Sequence, residues 1–148
     1  MTIKVQLAED MKAAMRAKDS ARLGAIRLLQ AAIKQREVDE RIELNDSQVI
    51  EAIEKMLKQR RDSISQYEAA NRQDLADVEK FEVSVLQTYL PAALTDDEVN
   101  AIIDGVIAET GANGIKDMGK VMAAVKPKVL GRADMGKISG LIKSRLGA

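Results

Sequence analysis

Residues 85–98 read Val-Leu-Gln-Thr-Tyr-Leu-Pro-Ala-Ala-Leu-Thr-Asp-Asp-Glu, and this stretch decides how the chain is organised. Pro91 disfavours helical geometry at Leu90 and has no N–H to donate. Four residues later Thr95 and Glu98 stand at the spacing of a capping box, which restarts a helix. One helical array ends before Pro91 and a second begins at Thr95. The expected domains are a helical bundle over 1–90 and a small three-helix domain over 95–148, with a linker at 91–94.

On the amino-terminal side, Ile3, Leu7, Met11 and Met15 recur every four residues, the stripe of an amphipathic helix over about 2–17. Lys18-Asp19-Ser20 supplies a break and a cap. Leu23, Ile26, Leu29 and Ile33 stripe a second helix that is expected to fade into the charged run Arg36 to Glu43. Asn45 or Asp46 caps a third, carried by Ile50, Ile53, Leu57, Ile64 and Tyr67. Asn71 is the residue of Ala70–Asp74 best suited to a left-handed turn. Val78, Phe81, Val85 and Tyr89 stripe a fourth helix. On the carboxy-terminal side, Val99, Ile102, Val106 and Ile107 follow the cap. Two short helices are then expected, over about 117–130 and 134–146, with Pro127 kinking the first or marking a new turn within it. Strand-like alternation appears nowhere, so the fold class is all-α.

The 148 residues include no Cys, no His and no Trp. Without thiols there is no disulfide framework, cysteine nucleophile or thiolate metal site. Without imidazole the commonest general base and metal ligand are missing. No catalytic set, cofactor site or metal site emerges. No run approaches the roughly 18 apolar residues of a membrane span, and the first residues do not resemble a signal peptide. A soluble cytoplasmic protein is the default expectation, with no membrane partner.

Net charge is zero, but its distribution is uneven. Residues 62–114 hold 2 basic and 11 acidic groups, whereas residues 115–148 hold 8 and 2. Such a basic tail points to an anionic partner. It also contains an internal repeat. Gly114-Ile-Lys-Asp-Met-Gly-Lys-Val matches Gly131-Arg-Ala-Asp-Met-Gly-Lys-Ile at an offset of 17. Each copy has a glycine to end one helix, an aspartate to cap the next and a lysine in its first turn. Both copies match the body of a P-loop, but Val121 and Ile138 stand where Ser or Thr would hold magnesium, and neither copy follows an apolar strand. The helix-cap reading needs no ligand. Helix starts still attract phosphate, so two such starts with Lys120 and Lys137 nearby could grip a nucleic-acid backbone. With the other glycines and basic residues of the tail, the candidate RNA-binding set is Gly119, Lys120, Lys126, Lys128, Gly131, Arg132, Gly136 and Lys137. No aromatic residue follows Tyr89, which argues against base stacking there. Arg60-Arg61 interrupts the third helix's stripe and is expected to lie across the bundle seam, paired with a neighbouring carboxylate.

Several segments together resemble the standalone YqeY-like proteins, which are similar to the tail of the GatB subunit of the tRNA-dependent amidotransferase. They include Leu7-Ala-Glu-Asp-Met-Lys-Ala-Ala-Met-Arg-Ala-Lys-Asp19, Ala25-Ile-Arg-Leu28, Lys58-Gln-Arg-Arg-Asp-Ser-Ile64 and Ala69-Ala-Asn-Arg-Gln-Asp-Leu75. Val85-Leu-Gln-Thr-Tyr-Leu-Pro91 and the closing pair of Asp-Met-Gly-Lys segments complete the set. Asn71 stands where the family usually has glycine. The resemblance implies an all-α fold with a larger amino-terminal bundle. It also implies a family label, carbon–nitrogen ligation with glutamine as amide donor, which is not expected of this chain alone. The tail domain's role of holding tRNA would carry over to Gly119, Lys120, Gly131, Arg132, Gly136 and Lys137. The expected function is an accessory RNA-binding module, for tRNA, linked to tRNA-dependent amidation. The alternative is a helical adaptor docking on an aminoacyl-tRNA synthetase or amidotransferase subunit through an apolar groove between the two domains.

Overall fold

The computed structural model describes residues 1–147, and every regular element among them is helical. The chain divides into two compact units, Met1–Leu90 and Pro91–Ala148. The amino-terminal unit holds α1 (Ile3–Arg16), α2 (Ser20–Glu40), α3 (Asp46–Ala69) and α4 (Gln73–Gln87). Its helix starts follow the local chemistry. The Thr2 hydroxyl accepts from the Val5 amide at 3.2 Å, and Asp19 accepts from the Arg22 amide at 3.2 Å. Asn45 and Gln48 exchange the two bonds of a capping box, each 2.9 Å. Asn71 is left-handed (φ 57°), as its residue type favours, but Lys18 (φ 56°) and Arg41 (φ 55°) adopt the same conformation without that advantage.

The second helix does not fade at Arg36. It runs to Glu40, where the charged residues brace one another: the Gln35 amide donates to Asp39 at 2.9 Å and Arg36 to Glu40 at 2.7 Å. Pairs four residues apart share a helix face, so a charged run can sustain a helix without an apolar stripe. Inside, Ile26, Leu29, Val49 and Ile53 are fully buried, with Leu7, Leu57, Val85 and Leu86 around them. The third helix turns Val49 and Met56 inward with Ile53 and Leu57, while Ile50 is only half-buried. Arg60 lies across the α3–α4 seam, where its Nε donates to Glu82 Oε2 at 2.6 Å. The Tyr89 hydroxyl donates to Asp10 Oδ2 at 2.5 Å.

The carboxy-terminal unit holds α5 (Asp96–Thr110), a 3-10 turn (Ile115–Asp117), α6 (Met118–Val129) and α7 (Met135–Gly147). The Thr95–Glu98 capping box is present, both bonds being 3.1 Å. Gly111 (φ 65°) ends α5 and Gly131 (φ 73°) follows α6, conformations in which a Cβ is penalised. Pro127 sits in the last turn of α6, and the helix continues only to Val129. There proline leaves the Ala123 carbonyl without its usual i+4 donor, and the helix ends two residues later. The core is Ile103, Val106, Val121, Val125, Val129 and Ile142, all fully buried. The Leu94 amide donates to the Arg132 carbonyl at 2.8 Å, fastening the segment before α5 to the turn before α7.

Candidate functional site

The repeated segments are alike in sequence but not in structure, which corrects the expectation of one turn-and-cap chemistry used twice. Gly131 is left-handed, whereas Gly114 is extended at φ −177°. Asp134 Oδ1 accepts from the Gly136 amide at 3.0 Å, so its carboxylate sits over the start of α7. Asp117 makes no cap bond; it turns back to accept from the Asn113 amide at 3.2 Å. A 3-10 turn therefore precedes α6. Neither start is an open anion site of the kind the sequence suggests, since one is occupied by a carboxylate and the other is entered through a tighter turn.

The candidate residues fall into two groups. Three cations are tied within the unit. Lys120 Nζ donates to the Thr110 carbonyl at the end of α5 (3.0 Å), a favourable place for positive charge. Arg132 Nε donates to the Ala92 carbonyl at 3.0 Å. Lys137 Nζ donates to Asp96 Oδ1 at 2.8 Å, and the Lys137 ammonium holds the Asp96 carboxyl below its ordinary range while its own pKa rises. That pair is exposed, with 58% and 81% of the two side chains accessible, so water and salt screen it. Lys126 and Lys128, by contrast, are exposed and make no ion pair among the described residues. Lys116 and Lys143 share that condition. Gly131 is buried, which places it in the framework, while Gly119 and Gly136 lie on the surface.

A pattern emerges from exposure. On α6, Gly119, Lys120, Ala123, Lys126 and Pro127 are exposed and lie opposite buried Val121, Val125 and Val129. On α7, Gly136, Lys137, Gly140, Lys143 and Ser144 are exposed and lie opposite Ile138, Ile142 and Leu146. Each helix thus shows an outward face of small residues flanked by lysines. A Cβ added at Gly119 or Gly140 would meet nothing within 4 Å, so internal packing does not require glycine at either position.

Sequence reasoning missed the countercharge. Taken from Pro91, the unit holds eight basic and seven acidic residues, because α5 brings Asp96, Asp97, Glu98, Asp104 and Glu109 to the basic tail. Arg145 forms an ion pair with Asp104 and donates to Asn100 Oδ1 at 2.8 Å. The signal was present as an acidic segment next to a basic one, but only the fold shows which partners meet. Among the described residues no group of three His, Cys, Asp or Glu could hold a metal ion. No helix among them is long and apolar enough to cross a membrane.

Comparison with known proteins places these features in context. A family model described as "Yqey-like protein" matches residues 4–146. A relative from Pyrenophora tritici-repentis is 31% identical over 146 residues, covering 97% of this chain and 80% of the relative. One from Vanderwaltozyma polyspora is 41% identical over 85 residues, 57% of this chain and 46% of its own length. A third, from Lachancea thermotolerans, is 34% identical over 107 residues, 70% and 57% of the two lengths. The chain thus spans about half the length of the latter two. All three carry the name "Altered inheritance of mitochondria protein 41, mitochondrial". That name overturns the cytoplasmic default: the absence of an evident signal peptide does not assign a compartment when close relatives are named as mitochondrial.

Proposed function

We propose, for a chain that belongs to the YqeY-like family, an accessory RNA-binding role carried by the carboxy-terminal unit. The observation that carries this reading is the pair of outward faces on α6 and α7, small residues flanked by lysines. Glycine inside a helix costs about 1 kcal/mol relative to alanine. Gly119 and Gly140 incur that cost with open space above them, which suits a polymer backbone drawn close to the helix. Lys126, Lys128 and Lys143 supply charge that no ion pair among the described residues uses. Lys120 and Lys137 can join them, since the exposed partners they would leave are readily taken up by water. The proposed ligand is tRNA, and the proposed setting is tRNA-dependent amidation, with this chain supplying no reaction of its own. Purified protein is expected neither to release ammonia from glutamine nor to consume ATP.

The test is a tRNA titration at several salt concentrations. If three or four phosphates of single-stranded regions are neutralised, the log–log slope is about −2 to −3. Replacing Lys126, Lys128 and Lys143 together with alanine should bring that slope toward zero, each phosphate contributing roughly 0.7. Different RNA sequences should weaken alike, because phosphates carry no sequence information. Salt-insensitive binding, or binding unchanged in the triple variant, would overturn the reading. A second reading, a protein-interaction adaptor for a synthetase or amidotransferase subunit, is favoured by a separate observation. The amino-terminal unit has an apolar cleft between α2 and α4.

A further inference from the structure

The α2–α4 cleft exposes apolar residues. Leu28 on α2 is 46% exposed and Val78 on α4 is 58% exposed, and Phe81 and buried Ala25 line the cleft with them. Ala21 and Gly24 line it as well, both exposed. Gly24 is the one glycine before residue 105 and lies inside a 21-residue helix, where glycine weakens the helix. A Cβ there would meet nothing within 4 Å, so no neighbour within the chain demands the gap. The charged residues lining the cleft, Asp77 and Glu82, are both acidic, and no cation lines it. Arg60 neutralises Glu82, whereas Asp77 accepts from the neutral Gln73 amide at 2.7 Å and has no ion pair among the described residues. The rest of α4 carries Asp74 and Glu79 against a single lysine, Lys80.

We infer that this cleft docks a basic amphipathic helix of another protein, its apolar stripe over Gly24 and its lysines or arginines beside Asp77. A helix laid in an apolar groove by residues three and four apart is a recurring mode of recognition. The Asp77 carboxylate and the net acidic α4 disfavour both nucleic acid and anionic membrane surfaces. The helices of a second copy bury their main apolar stripes in their own two cores and expose single residues such as Val5, Met15 and Val38. The inference rests on the adaptor reading and makes no use of the RNA surface.

The experiment uses the full chain and two labelled 16-residue helical peptides, each with leucines three and four apart, one flanked by lysines and one by glutamates. Fluorescence anisotropy should show the lysine peptide binding at least tenfold more tightly. Gly24→Leu should weaken that binding at least tenfold while the thermal melting temperature does not fall, because the new side chain enters open space. Asp77→Lys should shift preference toward the glutamate peptide. Lysine-peptide binding unaffected by Gly24→Leu would overturn the cleft while leaving an adaptor role elsewhere possible. Binding of neither peptide would overturn both the cleft and the adaptor reading. Self-association of the chain abolished by Gly24→Leu, measured by sedimentation velocity, would replace the partner with a second copy and overturn the inference.

Discussion

The two units differ in how far their bridging charges are sheltered. In the amino-terminal unit Arg60 and Glu82 are each only 19% accessible and the Tyr89 hydroxyl meets Asp10 partly buried, although Lys80 and Glu68 bridge α4 and α3 in the open. In the carboxy-terminal unit the Lys137–Asp96 bridge stands in water. Sheltered charge fixes how helices pack, because losing a partner leaves a desolvated group behind. Exposed charge fixes little and remains available to a ligand. The helices differ to match, with α2 and α3 at 21 and 24 residues against 12 and 13 for α6 and α7.

The strongest way to break this comparison is through the cores. Leu29→Ala, at a fully buried position on α2, should destabilise the amino-terminal unit by about 2–5 kcal/mol. Hydrogen exchange should then show lost protection in α1–α4 and unchanged protection in α5–α7. Equal loss in both would mean that the units unfold as one block. The bridges come next. Arg60→Ala should cost about 1.5–3 kcal/mol, the range for a hydrogen bond to a charged group. Lys137→Ala should cost no more than about 0.5 kcal/mol, as an exposed pair does. Urea denaturation measures both, and similar costs would erase the distinction between sheltered and exposed charge.

Glycine brings the units back together at a smaller scale. Gly24→Ala and Gly140→Ala should each stabilise the chain by about 0.5–1 kcal/mol, since both positions are helical and open above. Gly111→Ala should destabilise it, because φ 65° strains a residue that carries a Cβ. Melting temperatures read by circular dichroism distinguish these signs. A loss at Gly24 or Gly140 would show that the fold itself needs the glycine, and would remove the argument for a ligand there.

Much of this was legible in the sequence, and the exceptions share a physical cause. The capping boxes at Asn45 and Thr95 could be read because their partners are three residues apart. Asn71 could be read because its residue type already tolerates the left-handed region. Arg60 was legible as a charge interrupting an apolar stripe, which in a bundle has to find a carboxylate across the seam. Lys18 and Arg41 were not legible, since nothing in a lysine or arginine announces a positive φ. The repeat misled for a related reason: identical residues at 117 and 134 form different turns because Gly114 is extended and Gly131 is left-handed. The candidate site was half legible. Lysine spacing put Lys120 and Lys137 on helix starts, but their pairing with the end of α5 and with Asp96 spans 10 and 41 residues. Spacing of that order is invisible without the fold.

The smallest expected effect is also the most discriminating. Glu37 in the amino-terminal unit is held below its ordinary pKa first by the Lys4 ammonium and then by the Leu44 amide, which donates at 2.9 Å. Asp96 in the carboxy-terminal unit is held down by Lys137 alone. Both carboxylates are depressed on folding, so the stability each contributes is present above its unfolded pKa and is lost as pH falls through the folded value. Lys137 is raised, so its share is present below the unfolded lysine pKa and is lost as pH rises through the folded one. Stability should therefore be level across neutral pH and decline as the solution is acidified below about pH 4. Carboxyl carbon shifts followed by NMR separate the two sites. Lys137→Gln should return the Asp96 midpoint to the ordinary aspartate range, because its one cationic partner is gone. Lys4→Gln should return Glu37 only part of the way, because the Leu44 amide still favours the charged form. Full recovery at both sites would mean that the backbone amide contributes nothing, and that sheltered and exposed pairs differ only in accessibility.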